Sequence, residues 1–254
     1  MRNRDQTTER VHQFLKSAQF TTSDHIIIFS GAGMSAESGI STFREKGGLW
    51  EEYAIEEVAT PEAWARDPHK VLNFYNMRRK QLLEVEPNEG HHAIAELQRE
   101  FNLRVITQNV DDLHERAGTS DVLHLHGELR KARSTADDTR VYSIEGWALN
   151  WGDQCELGSQ LRPHVVWFGE MVPAMDEAVD FLAHCRLMIV IGSSLQVYPA
   201  ASLVQMIEAS CPLIVIDPHP VQTYGTGPLL HLESGASAGM NLIQSVLKSF
   251  QKGI

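Results

Sequence analysis

The sequence predicts an α/β fold, an open, doubly wound parallel sheet with a second, smaller lobe formed by two insertions. Three observations predict it: short apolar runs recur along the chain, helical patterns separate them, and two polar or aromatic-rich stretches interrupt the alternation. Strands that alternate with helices form parallel sheets with helices on both faces. A chain of 254 residues can bury the core that such a fold needs.

Four apolar runs are continuous rather than alternating, which is typical of strands covered on both faces. They lie at residues 25–29, 104–107, 187–191 and 213–216. Helical spacing of apolar residues predicts helices at 92–101, 175–184, 200–209 and 242–250. The large domain is therefore expected to comprise residues 1–41, 87–128 and 164–254.

Two insertions are expected to build the smaller lobe, from residues 42–86 and 129–163. In the first, the pairs Thr60-Pro61 and Asp67-Pro68 predict helix starts, because threonine and aspartate cap helices and proline suits the first helical position. The second is polar, lacks a sustained period and contains two tryptophans, Trp147 and Trp151. A cleft is expected between this lobe and the sheet.

Composition excludes several classes of protein. A formal charge of -11 disfavours direct binding to nucleic acid, whereas a basic peptide would be attracted. No apolar run approaches the roughly 20 residues of a membrane span, and the N-terminus lacks the apolar segment of a signal peptide. Three cysteines without a C-x-x-C pair favour free thiols. These features predict a cytoplasmic protein with no membrane or nucleic-acid partner.

Polar residues follow the predicted strands, where open α/β sheets bind ligands. The first strand leads into a glycine-rich turn, residues 30–39. Glycines let a backbone approach a pyrophosphate, and exposed amides at the helix start after the turn are expected to favour its negative charge. Later strands end in Gln108-Asn109-Val110-Asp111, Gly192-Ser193-Ser194 and Asp217. Each could be only a turn or a helix cap, but four such sites together predict a dinucleotide site.

Two histidines, His124 and His126, share a face if their segment is extended. An imidazole beside a ribose could act as a general base, since its ordinary pKa lies near neutrality. The same pair could instead bind a metal, with His91, His92 and His114 as further candidates. Either histidine could also be an ordinary polar residue of a short strand.

Six ordered motifs carry a resemblance to a known family. They are Gly31-Ala32-Gly33-Met34-Ser35-Ala36-Glu37-Ser38-Gly39-Ile40, Thr42-Phe43-Arg44, Thr107-Gln108-Asn109-Val110-Asp111, His124-Leu125-His126-Gly127, Val166-Trp167-Phe168-Gly169-Glu170 and Gly192-Ser193-Ser194. In this order they resemble the sirtuin motifs, from about residue 23 to the C-terminus. The resemblance is closest to class III sirtuins, which include bacterial NAD-dependent protein deacylases.

The resemblance implies a Rossmann-like NAD domain whose cleft holds an acyl-lysine of a protein or peptide. His126 would be the catalytic base, and Asn109, also catalytic, would orient the ribose and the nicotinamide carboxamide with Gln108 and Asp111. His124 would be structural, and the products would be nicotinamide, O-acyl-ADP-ribose and free lysine. The implied NAD-binding residues are Gly31, Ala32, Gly33, Glu37, Phe43, Arg44, Gln108, Asn109, Asp111, Gly192, Ser193, Ser194 and Asp217. The peptide would pair its backbone with residues 194–197 on one side and, on the other, lie along Val166, Phe168, Gly169 and Glu170.

Tyr75 and Arg78 stand at i and i+3 on a predicted helix, so both can face one pocket. A guanidinium matches a carboxylate bidentately and a phenol adds a hydrogen bond. The alternative is a packed tyrosine beside an outward arginine. This Tyr-x-x-Arg resembles the class III element that recognises succinyl, malonyl or glutaryl lysine, and we therefore predict activity on acidic acyl groups as well as acetyl.

The chain departs from the family pattern at three places. Sirtuins usually bind a structural zinc through two cysteine pairs in this lobe, whereas only Cys155 stands here, so zinc is not expected and packing of Trp147, Leu149 and Trp151 should replace it. Ser193 and Asp217 stand where threonine and asparagine are usual. Three rivals remain: an NAD or ADP-ribose sensor without catalysis, a metal-dependent hydrolase and a mono-ADP-ribosyltransferase.

Overall fold

A computed structural model describes residues 2–42, 53–223 and 227–252. Its strands are β1 (His25–Ser30), β2 (Leu103–Thr107), β3 (Val122–His124), β4 (Gly127–Ser134), β5 (Val141–Ser143), β6 (Leu161–Val165), β7 (Cys185–Ile191), β8 (Leu213–Ile216) and β9 (Leu229–Leu232). Six of them form a parallel sheet in the order β3-β2-β1-β7-β8-β9, and the other three form an antiparallel sheet in the order β5-β4-β6. The predicted fold class is confirmed.

Helices cover the parallel sheet and build much of the first insertion. They are α1 (Arg2–Ser17), α2 (Gly33–Ala36), α3 (Ile55–Val58), α4 (Pro61–Arg66), α5 (Pro68–Glu84), α6 (Glu89–Glu100), α7 (Leu113–Arg116), α8 (Met175–Leu182), α9 (Leu203–Met206) and α10 (Ala236–Gln251). Both predicted helix starts are confirmed: Thr60 Oγ1 accepts from the Ala63 amide at 3.0 Å, and Asp67 Oδ1 from the Lys70 amide at 2.9 Å. Among the described residues, no helix has the length and apolar character to cross a membrane.

The central strand β1 is buried on both faces, as its continuous apolar run predicts. Ile26 and Ile28 pack on one side with apolar residues of α1, α6 and α10, whereas Ile27 and Phe29 pack on the other with residues of α8 and α9. Successive side chains of a strand point to opposite faces, so one run serves both layers. This packing makes the sheet doubly wound.

The four predicted strands are the four in the middle of the sheet, and the sequence reasoning missed both edges. Edge strands β3 and β9 have only three and four residues, too few to show a pattern. The sequence patterns also did not predict the separate strands of the small sheet or helix α1. This helix packs on α10 through Val11 and Leu15. The exact lobe boundaries, 42–86 and 129–163, stay a prediction.

The strand order reverses between β1 and β7, which creates a crevice at their carboxyl ends. There the two following loops touch through glycines. A Cβ on Gly33 would lie 2.7 Å from Gly192 Cα, and one on Gly31 would lie 2.7 Å from the Gly192 carbonyl oxygen. The turn therefore needs glycine for packing between two loops, whatever else it binds.

The polar segment 129–163 is attached to α5 by two buried side chains, Asn76 and Arg79. Arg79, fully buried, donates to the carbonyl oxygens of Leu129 and Trp147, at 2.7 Å each. The Asn76 amide donates to the Leu149 carbonyl at 3.0 Å and accepts from the Leu149 amide at 2.9 Å. Side-chain contacts to backbone thus join the helix to this segment.

The predicted packing of the small lobe is only partly right. Leu149 is buried beside Leu72, Ala132 and Ile144. In contrast, Trp147 is 47% exposed. Trp151 is 53% exposed, but its ring lies against Trp64 and His69, with ring centroids 6.3 and 5.5 Å apart. Trp147 joins the lobe to α5 through its backbone carbonyl, which accepts from Arg79, rather than through its ring.

Candidate active site

A cavity of about 750 Å³ lies at the carboxyl ends of β1, β2, β7 and β8. This volume is in the range of small-molecule and cofactor sites. Most predicted site residues line it: Ala32, Gly33, Tyr75, Arg78, Gln108, Asn109, His126, Val166, Phe168, Gly169, Glu170, Gly192, Ser193, Ser194 and Asp217. The predicted cofactor, catalytic and substrate residues therefore share one cavity.

Three predicted cofactor residues do not line this cavity. Gly31 packs against Gly192, as described above. Glu37 is exposed and accepts a hydrogen bond from the Ser237 amide at the start of α10, 3.1 Å away. Asp111 is buried behind the cavity wall. Phe43 and Arg44 lie outside the described residues, so their cover of the ribose stays a prediction.

Asn109 is fixed from behind by two buried residues that follow the first two strands. Its amide donates to Ser35 Oγ at 3.2 Å, and Ser35 Oγ donates to Asp111 Oδ2 at 3.0 Å. The other Asp111 oxygen accepts from the Leu113 amide at 3.3 Å. Burial raises the pKa of Asp111, and these hydrogen bonds oppose the rise. Asp111 therefore orients Asn109 through Ser35.

The ring of His126 has the tautomer that a general base requires. Nδ1 lies 3.0 Å from the Gln108 carbonyl oxygen, which can only accept, so Nδ1 carries the proton. In the neutral ring Nε2 is then the acceptor. Burial lowers the pKa of His126, which keeps the ring neutral near pH 7. His126 lines the cavity and can take up a proton there.

The contacts of His124 differ from those of His126. Its Nδ1 lies 2.9 Å from the Asn109 carbonyl oxygen, and its Nε2 lies 2.7 Å from Glu115 Oε1. Burial alone would lower its pKa, but the Glu115 carboxylate and the Asn109 carbonyl outweigh burial and raise it. A ring that donates from both nitrogens has no lone pair for a base or a metal. These contacts agree with a structural role.

The glycine-rich turn has fewer available amides than the sequence predicts. The amides of Gly33, Met34 and Ser35 donate to the carbonyls of Gly192, Gly31 and Ala32, at 2.9, 2.9 and 3.1 Å. The expectation that amides at this helix start are exposed is wrong for these three. Two of these hydrogen bonds close the turn on itself, and the bond from Gly33 joins it to the loop that follows β7.

Other groups in the cavity fit a dinucleotide. Gln108 Oε1 accepts from Ser193 Oγ at 3.0 Å, while its buried Nε2 has no partner among the residues that the structure describes. A buried donor without a partner is costly, and the amide or hydroxyl oxygen of a ligand would satisfy it. The Asp217 carboxylate also lines the cavity and can accept from ribose hydroxyls. The residues present therefore fit NAD.

Tyr75 and Arg78 lie on α5 and line the same cavity as His126. Tyr75 is 6% exposed, and its oxygen accepts from the indole N–H of Trp167 at 3.0 Å. Burial raises the pKa of Tyr75 far above its ordinary value, so the phenol stays protonated. Burial lowers the pKa of Arg78, and the nearby Asp111 and Tyr75 oppose this. A neutral phenol and a guanidinium thus face the cavity.

Glu170 lines the cavity, but its carboxylate is already bound within the protein. It accepts two hydrogen bonds from Arg162, at 2.7 and 3.0 Å, and two from Arg133, at 3.2 and 3.1 Å. It also accepts from the Trp167 amide at 2.8 Å. These arginines keep the pKa of Glu170 below its ordinary value despite burial. The Glu170 side chain therefore holds the segment 166–170 in place.

Cys155, the cysteine of the polar segment, donates to Ser134 Oγ at 3.3 Å. Within residues 2–42, 53–223 and 227–252, no group of three His, Cys, Asp or Glu side chains could hold a metal ion. Ion pairs of Arg140 with Asp137 and Glu156 bridge the same region. The absence of a structural zinc stays a prediction.

The geometry defines an α/β protein with a cavity of cofactor size at the switch point of its sheet, and a neutral histidine, a tyrosine and an arginine line this cavity. The Sir2 family profile matches residues 31–199, and the chain belongs to the Sir2 family. An NAD-dependent protein deacylase of Bacteroides thetaiotaomicron is 50% identical over 228 residues, which cover 88% of this chain and 97% of that protein.

Solved structures agree with this family. A Sir2 homologue in complex with NAD has a TM-score of 0.83 and 38% identity, with 96% of this chain and 94% of that chain covered. A Sir2 variant with a deacetylated p53 peptide and 3′-O-acetyl ADP-ribose has a TM-score of 0.80 and 27% identity, with 93% and 97% covered. The predicted family is confirmed.

Sequence reasoning missed four residues that support the site. Ser35 stands in a predicted motif without a role of its own, and Arg79, to which the sequence assigned no role, is fully buried. A residue one position after Arg78 points about 100° further round the helix, which was the available signal. Trp167 and Asn76 gave no signal, because their partners lie 92 and 73 residues away.

Proposed function

We propose that this protein is an NAD-dependent protein-lysine deacylase that removes acetyl groups and acidic acyl groups such as succinyl and malonyl. At the level of the NAD-dependent protein deacylase, the prediction is confirmed by the family and by relatives of that name. One observation supports the acidic preference. Tyr75 and Arg78 line the cavity that also contains Asn109 and His126.

NAD, when bound, supplies an electrophilic ribose carbon and nicotinamide as the leaving group. Gln108 would bind an oxygen of the ligand through its unpartnered Nε2, and Asp217 would accept from a ribose hydroxyl. Asn109, held by Ser35, would orient the reacting ribose. The remaining wall, which contacts phosphates and ribose, is formed by Ala32, Gly33, Gly192, Ser193 and Ser194.

His126 performs the proton transfer. Its Nδ1 proton is engaged by the Gln108 carbonyl, so Nε2 takes the proton of a ribose hydroxyl. Overall, the acyl group would be transferred to the ADP-ribose part of NAD, with nicotinamide and free lysine released and one water consumed. The lowered pKa of His126 keeps this base available at neutral pH.

The acyl-lysine peptide would lie between Val166, Phe168 and Gly169 on one side and residues 194–197 on the other, all of which line the cavity. An extended peptide held by backbone hydrogen bonds binds without strict sequence preference. The net charge of -11 favours basic peptides. We place the reaction in the cytoplasm, which fractionation of cells would test.

The first test is a mass-spectrometric assay with matched acetyl-lysine and succinyl-lysine peptides, with and without NAD. We expect NAD-dependent loss of both acyl groups, with nicotinamide and the matching O-acyl-ADP-ribose. Loss of acetyl alone would contradict the acidic preference. Label from NAD on protein would instead indicate mono-ADP-ribosyl transfer, and binding without turnover would indicate a sensor.

Recognition of the acyl carboxylate by Tyr75 and Arg78, which we call the carboxylate clamp, is tested by R78M. This variant keeps an unbranched side chain without the charge. A charged hydrogen-bonding pair contributes about 1.5–3 kcal/mol, so desuccinylation should fall roughly 10- to 100-fold in kcat/KM. Deacetylation should change less than about threefold. K80M, at an exposed position of the same helix, is the control. Equal loss of both activities in R78M would refute the clamp.

A further inference from the structure

The contact between Trp167 and Tyr75 fixes the direction of a hydrogen bond in the acyl pocket. An indole N–H can only donate, so the Tyr75 oxygen is the acceptor across the 3.0 Å that separates them. The phenol's own proton is then left for a different acceptor. Since Tyr75 lines the cavity, that acceptor can be a bound substrate.

The Trp167 ring is itself held firmly. It is 2% exposed, and the Arg162 guanidinium carbon lies 3.3 Å from the ring centroid. Glu170 binds the same guanidinium through both of its oxygens. Trp64 packs beside the ring with centroids 5.8 Å apart. An indole held on its face and at its N–H has little freedom to turn, so it gives the phenol one orientation.

We propose that Trp167 is a specificity-determining positioning residue, whose N–H holds the Tyr75 oxygen so that the phenol donates its proton to the carboxylate of an acidic acyl group. This rests on the proposed function, in which Tyr75 and Arg78 recognise that carboxylate. A phenylalanine at position 167 would fill similar space but could not donate. The phenol could then rotate and lose its alignment with Arg78.

The test compares W167F, Y75F and the double variant on matched succinyl-lysine and acetyl-lysine peptides. W167F should lower kcat/KM for the succinyl peptide roughly fivefold to tenfold, mainly through KM, which is the size of one neutral hydrogen bond. The acetyl peptide should change less than about twofold. Because Trp167 acts through Tyr75, the double variant should be no worse than Y75F alone.

W64F is the matched control, since Trp64 packs on the same ring but makes no hydrogen bond to Tyr75 among the described contacts. It should leave the succinyl-to-acetyl ratio unchanged. Multiplicative losses in the double variant, or equal losses on both peptides in W167F, would show that Trp167 only packs. Either result would overturn the proposal.

A second measurement needs no change at Trp167. In nitrogen-15 spectra, one indole N–H resonance should shift in Y75F and should shift more with succinyl peptide than with acetyl peptide. If no indole resonance behaved in this way, the proposal would be overturned.

The same assays separate this proposal from the proposed function. Wild-type enzyme that removes acetyl but not succinyl would overturn both the carboxylate clamp and the role of Trp167. Wild-type enzyme that removes both, with W167F unchanged, would overturn the role of Trp167 alone.

Discussion

Arg79 is expected to be the main polar anchor of the small lobe, and R79M is the change that tests it. Its guanidinium donates to the carbonyls of Leu129 and Trp147 and to Asn76 Oδ1, at 2.7, 2.7 and 2.8 Å. Methionine keeps a flexible apolar stem but removes all three donors. The two carbonyls would then lose their donor.

The magnitude follows from two opposing effects. Loss of the donor costs about 1–3 kcal/mol at the buried Leu129 carbonyl and less at the partly buried Trp147 carbonyl, so less than roughly 6 kcal/mol together. Against this, burial lowers the pKa of Arg79 to about 10, so removing the charge also relieves an unfavourable desolvation. We therefore expect R79M to lower the free energy of unfolding by about 3 kcal/mol, a large part of the roughly 5–15 kcal/mol typical of proteins.

Urea denaturation followed by circular dichroism measures this loss, with K80M as the control on the exposed face of the same helix. K80M should change the free energy of unfolding by less than about 0.5 kcal/mol. R79K should be intermediate, since lysine keeps the charge without the planar fork. If R79M lowered the free energy of unfolding by less than about 1 kcal/mol, Arg79 would not be the main anchor of the lobe, and apolar packing would stabilise it instead.

Three further predictions concern titration and metal content. The lowered pKa of His126 should place the acidic limb of the kcat/KM pH profile below pH 6.5, and a limb above pH 6.5 would contradict this. H126A should abolish turnover, while calorimetry should show that NAD still binds. Burial lowers the pKa of His91 to about 3, so on acidification the unfolded chain takes up a proton before the folded protein does. The free energy of unfolding should therefore fall as pH drops from 6.5 towards 3. A urea midpoint that stays constant between pH 7 and pH 5 would contradict this. Metal analysis should find far less than one zinc per chain, with an unchanged melting temperature in chelator.

The parts of the site that lie in short sequence segments could be predicted from those segments. Gln108, Asn109 and Ser193 directly follow buried strands, and parallel strands bring their carboxyl ends to one edge, so these residues had to meet. Gly31 and Glu37 stand in the same kind of segment but contact Gly192 and Ser237 instead of lining the cavity, because a turn presents only part of its residues to one side. Their part in cofactor binding stays a prediction.

The sequence by itself determined the fold class, the family and the edge of the sheet at which the chemistry occurs, because apolar periodicity and ordered motifs are local properties of the chain. Only the tertiary structure decided how the two histidines differ: His124 meets Glu115 and becomes a double donor, whereas His126 keeps an acceptor nitrogen. It also decided that Arg79 is buried and that Trp167 donates to Tyr75. These facts depend on partners remote in the sequence, and the burial, hydrogen-bond direction and pKa of a side chain are set by such partners.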